Sequence, residues 1–513
     1  MELSEIEKIK IENGEFVLVL GKNAAGKTTL LKKLKEKFEK EGKKTGFVGQ
    51  NFESSIIFEN VWQELSFPLE NEGKSSKEIQ IRVAEICNYF GINSFLTKKT
   101  NELSGGEKQI LCLAATIISN PEILILDESL SQLDKTSSQK FLLAVKKLND
   151  EKGITVLIAE HNEEAVFLNA EKIIFLENHK CLFFGNKRSV LKQIIESKNE
   201  ELKEFLPLSA KIYAFLQNEN NKEIIEEEIP LSVKEAKLYL KKNSCVTDWS
   251  AERMRVAKQW SEAEARKAGP ERSEGDARKK IILEAKNLSF KYEKNADFIL
   301  SDLNFCAEEG GIFSIVGANG CGKSTFLKIL RGILKADSGK IKMFNQKCVL
   351  LPQNVKNLFT KETVREELEE CGFSDEKSIF FDEKLDEKTE NLSFGEAQLL
   401  ALEKVLLLDA KIILLDEPTK NLDCVFKKKL GLILRKLCAD GKSIILVSHD
   451  LEFVSEFSDK TAFLFDGKIL GEQKSFDFFK ENAFYTTSFF RVFGNEFNEF
   501  IEENEKTFVK GGN

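Results

Sequence analysis

The chain has 513 residues, a formal net charge of −8 and ten cysteines. That length suffices for two or more domains with separate cores. The acidic balance excludes a nucleic-acid-coating protein, whose domains are basic as a rule. The cysteines show neither a C-x-x-C pair nor metal-ligand spacing.

The first informative element is Phe16-Val17-Leu18-Val19-Leu20, an apolar run that reads as a buried strand. It feeds the glycine-rich turn Gly21 to Thr28 (GKNAAGKT), followed by Thr29 and the helical spacing of Leu30 to Glu41. Strand, turn and helix in this order make G-x-x-x-x-G-K-[ST] a phosphate-binding loop. Its backbone N–H groups, with those of Asn23 and Gly26 among them, turn inward around an anion. Lys27 would reach the β- and γ-phosphates and Thr28 would supply a Mg²⁺ ligand.

Gly46 to Gln50 reads as a strand ending in glutamine. At Leu103-Ser104-Gly105-Gly106-Glu107-Lys108-Gln109 two readings stand side by side. Ser104 with Glu107 three residues on is a helix capping box. The two glycines also expose N–H groups at a helix N-terminus, an anion-binding arrangement. Ile123 to Leu126 is a buried parallel strand closing in Asp127 and Glu128. Asp127 suits Mg²⁺ and Glu128 suits polarising an attacking water. Ile154 to Ala159 is another such strand, ending in Glu160-His161.

Residues 188 to about 245 are rich in Glu and Lys and read as a linker, while 246–280 change composition. Gly269-Pro270 forbids a helix interior there, and a charged, flexible insertion is expected. From Ile281 the pattern repeats. Ile312 to Val316 precedes Gly317, Asn319, Gly320, Gly322, Lys323, Ser324 and Thr325, and Gln353, Ser393-Phe394-Gly395-Glu396, Asp416-Glu417 and His449 follow. The four pairs Lys27/Lys323, Gln50/Gln353, Asp127/Asp416 and His161/His449 lie 296, 303, 289 and 288 residues apart. So near-constant an offset means a duplicated domain. Tyr292 could stack on an adenine ring, or simply pack in its sheet. The Phe-rich tail repeats Phe489, Phe493, Phe497 and Ile501, one helical face that packs on its own domain or docks a partner.

Phosphate loop, strand-end Gln, LSGGE, apolar strand closing in DE, and strand-end His occur in the order of an ABC-type ATPase domain, which both halves resemble. The resemblance implies an α/β fold of two phosphate-loop domains, each a parallel-sheet core with a helical signature subdomain. Expected boundaries are 1–187 and 281–475 for these domains, 188–280 for the linker and 476–513 for the helical tail. It also implies ATP and Mg²⁺ as cofactors, with Thr28, Gln50, Asp127, Ser324, Gln353 and Asp416 around the metal. Glu128, Glu417, His161 and His449 would be catalytic. Ser104 to Glu107 and Ser393 to Glu396 would be the signatures, Leu133-Asp134 and Asn421-Leu422-Asp423 the D-loops. Two departures stand out: Ser129 where Pro is usual, and Phe394 in place of the first signature glycine.

In this family two domains clamp two ATP molecules head to tail, and here the resemblance implies an intramolecular sandwich. The stretches after Gln50 and Gln353 look like those of energy-coupling-factor ATPases. These drive vitamin or transition-metal ion uptake with a transmembrane coupling subunit and a substrate-binding subunit, which implies a peripheral location at the cytoplasmic face of the membrane and no nucleic-acid partner. An ABC-F translation factor and a tandem sugar-importer ATPase are the alternatives. An ABC-F linker would be two long basic helices, whereas residues 188–245 are acidic and contain Pro207 and Pro230. A repair-type ATPase would need a long coiled coil, which the sequence does not contain.

Overall fold

The computed structural model describes residues 9–243 and 280–493, apart from 51, 131–132, 134, 161–163, 220–221, 294–295, 344–346, 374–377, 382–383 and 483–484. His161, Asp134, Phe497, Ile501 and all but the last residue of the 246–280 insertion therefore lie outside the described residues. The chain divides into two compact units, Met1–Ser232 and Val233–Asn513.

The first unit runs β1 (Phe16–Gly21), α1 (Lys27–Lys40), β2 (Thr45–Val48), α2 (Val61–Asn71), α3 (Ser76–Phe90), α4 (Gly105–Ile117), β3 (Ile123–Asp127), α5 (Lys135–Lys152), β4 (Thr155–Ala159), α6 (Glu164–Asn169), β5 (Lys172–Glu177) and β6 (Lys180–Asn186). Three further helices follow, α7 (Lys187–Glu196), α8 (Glu200–Lys203) and α9 (Leu208–Glu219). The strands form one sheet in the order β2-β3-β4-β1-β5-β6, parallel except for β6. Every residue of β1, β3 and β4 is buried, which is why these strands are unbroken apolar runs rather than alternating ones. Parallel pairing brings the C-terminal ends of β1, β3 and β4 to one edge, where an open α/β sheet places its ligands.

The region expected to begin a linker at 188 instead continues the first unit. Val190, Leu191 and Ile194 of α7 are fully buried, and α7 packs on β5 and β6. Phe205, also buried, meets Phe175 of β5 edge to face, with ring centroids 5.2 Å apart. Lys and Glu on the outer faces of these helices dilute the apolar signal, so composition alone reads as linker.

The second unit runs α10 (Val233–Asn243), β7 (Ile281–Phe290), β8 (Leu300–Glu308), β9 (Ile312–Val316), α11 (Lys323–Arg331), β10 (Ser338–Met343), β11 (Cys348–Leu351), α12 (Val364–Glu369), α13 (Phe394–Leu407), β12 (Ile412–Asp416), α14 (Cys424–Ala439), β13 (Ser443–Val447), α15 (Leu451–Phe457), β14 (Lys460–Phe465), β15 (Lys468–Lys474), α16 (Ser475–Glu481) and α17 (Ser488–Phe493). Its main sheet, β11-β12-β13-β9-β14-β15, repeats the order of the first sheet strand for strand. An antiparallel sheet, β10-β7-β8, is added beside it and carries Tyr292 just beyond the end of β7.

Two features of the second unit bear on function. Helix α13 is held by buried ionic groups: the Glu403 carboxylate accepts from Ser378 Oγ and the Ile379 and Phe380 N–H groups, while Lys404 pairs with the fully buried Glu367 of α12. The described part of the Phe-rich tail packs on its own unit. Phe478, Phe479 and Phe490 join Val316, Leu451 and Val454 in one cluster, and α17 meets α10.

Candidate nucleotide sites

In each unit the strand-to-helix turn is built by glycine at positions other residues resist. Gly322, at φ +103°, precedes α11, and Gly26, at φ +95°, precedes α1. A Cβ on Gly317 would fall 2.5 Å from the Leu464 carbonyl, so the chain can pass there only as glycine. Lys323 Nζ donates to the Gly317 and Ala318 carbonyls, both at 2.9 Å, and Lys27 does the same to Gly21 and Lys22 at 3.1 and 3.2 Å. Each ammonium is thus bent over its own loop, nearly buried, at the point where a phosphate would replace the carbonyls as its partner.

The carboxylates arrive from the neighbouring strands. Asp416 and Asp127 end β12 and β3, and each has an Oδ1 that is buried without a hydrogen-bond partner. Burial pushes both carboxyls up to about 6, with the Ser324 and Thr28 hydroxyls drawing them partly back. A buried carboxylate oxygen lacking a donor beside a Ser or Thr hydroxyl fits Mg²⁺, which would satisfy the oxygen and hold it ionised. When bound, Mg²⁺ supplies charge neutralisation for the phosphates.

The next residue in each unit, Glu417 or Glu128, has φ of +53° or +49°, a left-handed conformation costly for glutamate. It turns the carboxylate away from the strand line and toward the loop. Glu417 Oε2 lies 2.8 Å from His449 Nδ1, and also accepts from the His449 N–H at 3.2 Å and Ser448 Oγ at 3.4 Å. Burial pushes this carboxyl up, but the His449 and Lys323 charges outweigh it and hold it below its ordinary value. An ionised glutamate held by a histidine can accept a hydrogen bond from a water O–H and so polarise the water. Glu128 lies 3.3 Å from Lys27 Nζ and accepts from Gln50 Nε2 at 2.5 Å. Gln353, by contrast, is exposed just past β11.

The capping-box reading of the signature holds in both units. Ser104 and Ser393 cap α4 and α13, and Glu107 and Glu396 accept from the serine N–H groups at 2.8 and 2.9 Å, completing both capping boxes. Gly105 faces open space, while a Cβ on Gly106 would meet Ser137 Oγ at 2.9 Å. Phe394 stands at the counterpart of the open position, which explains how a large ring is accommodated. Its ring lies 4.5 Å from Lys356 Nζ, a cation–π contact to the segment after Gln353.

Tyr292 is more than half exposed, its hydroxyl 3.2 Å from Thr325 Oγ1 and its ring edge-on to Phe290. The ring is therefore exposed beside the loop rather than buried in the sheet. Three side chains escaped the sequence reading. Gln398 Nε2 of α13 donates to the Pro418 carbonyl at 3.2 Å, whereas its counterpart Gln109 is fully buried with neither amide atom hydrogen-bonded. Lys356 and His179 also flank these sites, and no spacing rule points to any of the three.

The ABC transporter family matches residues 6–131 and 300–420. A protein of Bacillus thuringiensis subsp. konkukian, named as an ABC transporter ATP-binding protein, is 32% identical over 95% of this chain and 92% of its own length. A similarly named protein of Clostridium tetani is 29% identical over 85% of this chain and 96% of its own. Among solved structures, ABCE1 in ribosome-bound archaeal Pelota and ABCE1 matches with TM-score 0.62 at 20% identity, covering 91% of this chain and 76% of that one. The archaeal ribosome recycling factor aABCE1, in complex with the ribosomal stalk protein aP1, matches with TM-score 0.58, also at 20% identity, over 91% and 87%. At that identity the likeness extends to the α/β fold and no further. The two units, the family match in both and the long curated alignment agree: the chain belongs to the ABC transporter family as a tandem ATPase that hydrolyses ATP with Mg²⁺.

Proposed function

We propose that the chain is the ATP-hydrolysing subunit of a membrane uptake transporter of the energy-coupling-factor type, importing a vitamin or a transition-metal ion. In this reading its two units close on two ATP molecules, with Lys27, Asp127 and Glu128 serving one and Lys323, Asp416, Glu417 and His449 the other. A transmembrane coupling subunit and a substrate-binding subunit would be its partners, and it would sit peripherally at the inner face of the membrane. No described helix is long and apolar enough to cross a membrane.

The observation that carries this reading is the exposure pattern after Gln50. Leu65 and Leu69 are core, and Phe58 packs on Phe67 with centroids 5.1 Å apart, yet Ile57 is 68% exposed and Trp62 37%. Large apolar side chains left outward beside acidic Glu59 suit a groove that receives an amphipathic partner helix, anchored by apolar contacts and oriented by charge. In the second unit Val364 and Leu368 are fully buried like Val61 and Leu65, and the positions of Ile57 and Trp62 are taken by Thr360 and Arg365.

The test separates attachment from catalysis. Ile57→Glu and Trp62→Glu are expected to release the chain from membrane fractions while the purified variants hydrolyse ATP at the native rate. Nucleotide-dependent sedimentation of the native chain with ribosomes would instead favour the translation-factor alternative.

A further inference from the structure

The two phosphate loops are bordered differently at the glycine that precedes the lysine. In the second unit a Cβ on Gly322 would meet Leu300 and Ile299 at 2.8 and 3.1 Å, so the start of β8 covers this glycine, with Tyr292 close by at Thr325. In the first unit the counterpart is Gly26, and a Cβ there would fall 2.8 Å from Nδ1 of His179. His179 belongs to the turn joining β5 and β6, and its N–H donates to the Ala25 carbonyl inside the loop at 3.2 Å. Its side chain is exposed.

Asn178 and His179 both have positive φ, 48° and 61°. Asn tolerates this conformation, whereas His does so at a cost that Gly would remove. The corresponding turn of the second unit, Asp466-Gly467, has glycine there, and it rests on the backbone of Ile299 to Ser301 rather than on the loop. The loop is further tied to its surroundings by Lys22, which pairs with Glu201 of α8. The hairpin turn thus brings a planar, polar ring to the rim of the first loop, at the place an apolar strand fills in the second.

We propose that His179 is a nucleotide-contacting residue of the first site, its imidazole packing on the base or ribose, the role the sequence suggests for Tyr292 in the second. The inference rests on the reading of Gly21 to Thr28 as a nucleotide site. A planar ring gives a base a stacking face, and the ring nitrogens give a hydrogen-bond partner an aliphatic side chain lacks.

The test is made on the full chain carrying Lys323→Ala, so that binding reports the first site, with Mg·ATP and tripolyphosphate titrated separately by calorimetry. His179→Gly keeps the turn, since glycine accepts its φ without strain, and thermal unfolding verifies the fold. It is expected to weaken ATP binding by about 5- to 100-fold and leave tripolyphosphate unchanged, with His179→Phe restoring most of the ATP affinity. An unchanged ratio of ATP to tripolyphosphate affinity in His179→Gly would overturn the proposal and assign His179 to the turn alone. If the Lys323→Ala chain with His179 intact binds neither ligand, the first loop is no nucleotide site, and that reading fails with it.

Discussion

Glu417 shows how one residue's environment sets its chemistry. Its left-handed backbone, buried carboxylate and short contact to His449 converge on an ionised group beside an aspartate oxygen with no donor. Glu417→Gln keeps shape and removes charge, so steady-state ATP turnover should fall by roughly 10²- to 10⁴-fold while equilibrium ATP binding persists. Turnover near the native rate would exclude the assigned role. A second residue-scale expectation concerns Glu396. Burial raises its carboxyl, but hydrogen bonds from Lys384 and Ser393 outweigh that and hold it below its ordinary 4.5. A depressed folded-state value means stability that is complete above the unfolded value and is lost as pH falls through the folded one. Between about pH 5 and pH 3 the native chain should therefore lose more stability than Glu396→Gln, as followed by denaturant unfolding at each pH.

At the scale of elements, helix packing around α15 decides where His449 can stand. Asp450 caps α15 through the Phe453 N–H at 3.1 Å, so the histidine stands immediately before the cap of a helix whose position is externally fixed. One fixing contact comes from α14, where Gly431 lies under the Phe457 ring and an added Cβ would fall 2.4 Å from it. Gly431→Ala should destabilise the second unit by about 1–3 kcal/mol despite alanine's better helix propensity. Another comes from the tail, through the cluster of Phe478, Phe479 and Phe490 with Leu451 and Val454. Phe479→Ala should cost about 3–5 kcal/mol and lower the melting temperature of that unit. A smaller loss for Phe479→Ala than for Gly431→Ala would show that the tail adds little to the core.

For the whole molecule, two units with separate cores predict two unfolding events. In scanning calorimetry Gly431→Ala should shift one transition downward and leave the other in place, since the altered contact is wholly within the second unit. A common shift of both would mean that the units unfold as one. The doubled sheet order also locates the asymmetry between the units. The antiparallel sheet carrying Tyr292, the Phe394–Lys356 contact and the bonded Gln398 belong to the second unit, while Gln50–Glu128, His179 and the unpartnered Gln109 belong to the first.

The repeated motifs were legible in the sequence because each depends on chemistry that only a few residue types supply. Glycine at positive φ, lysine over phosphate and an apolar parallel strand closing in two carboxylates leave marks at fixed spacing, and from these the tandem ATPase fold and its nucleotide chemistry could be read without coordinates. Tertiary structure alone decided what long-range contacts set. Composition read α7 to α9 as linker, since the buried stripe of Val190, Leu191 and Ile194 emerges only against β5 and β6. His179, some 150 residues from Gly26 in the chain, reaches the loop because parallel pairing sets β5 beside β1. Local spacing records what a residue must be for its own backbone and ligand; it carries no trace of which distant side chain the sheet will bring alongside.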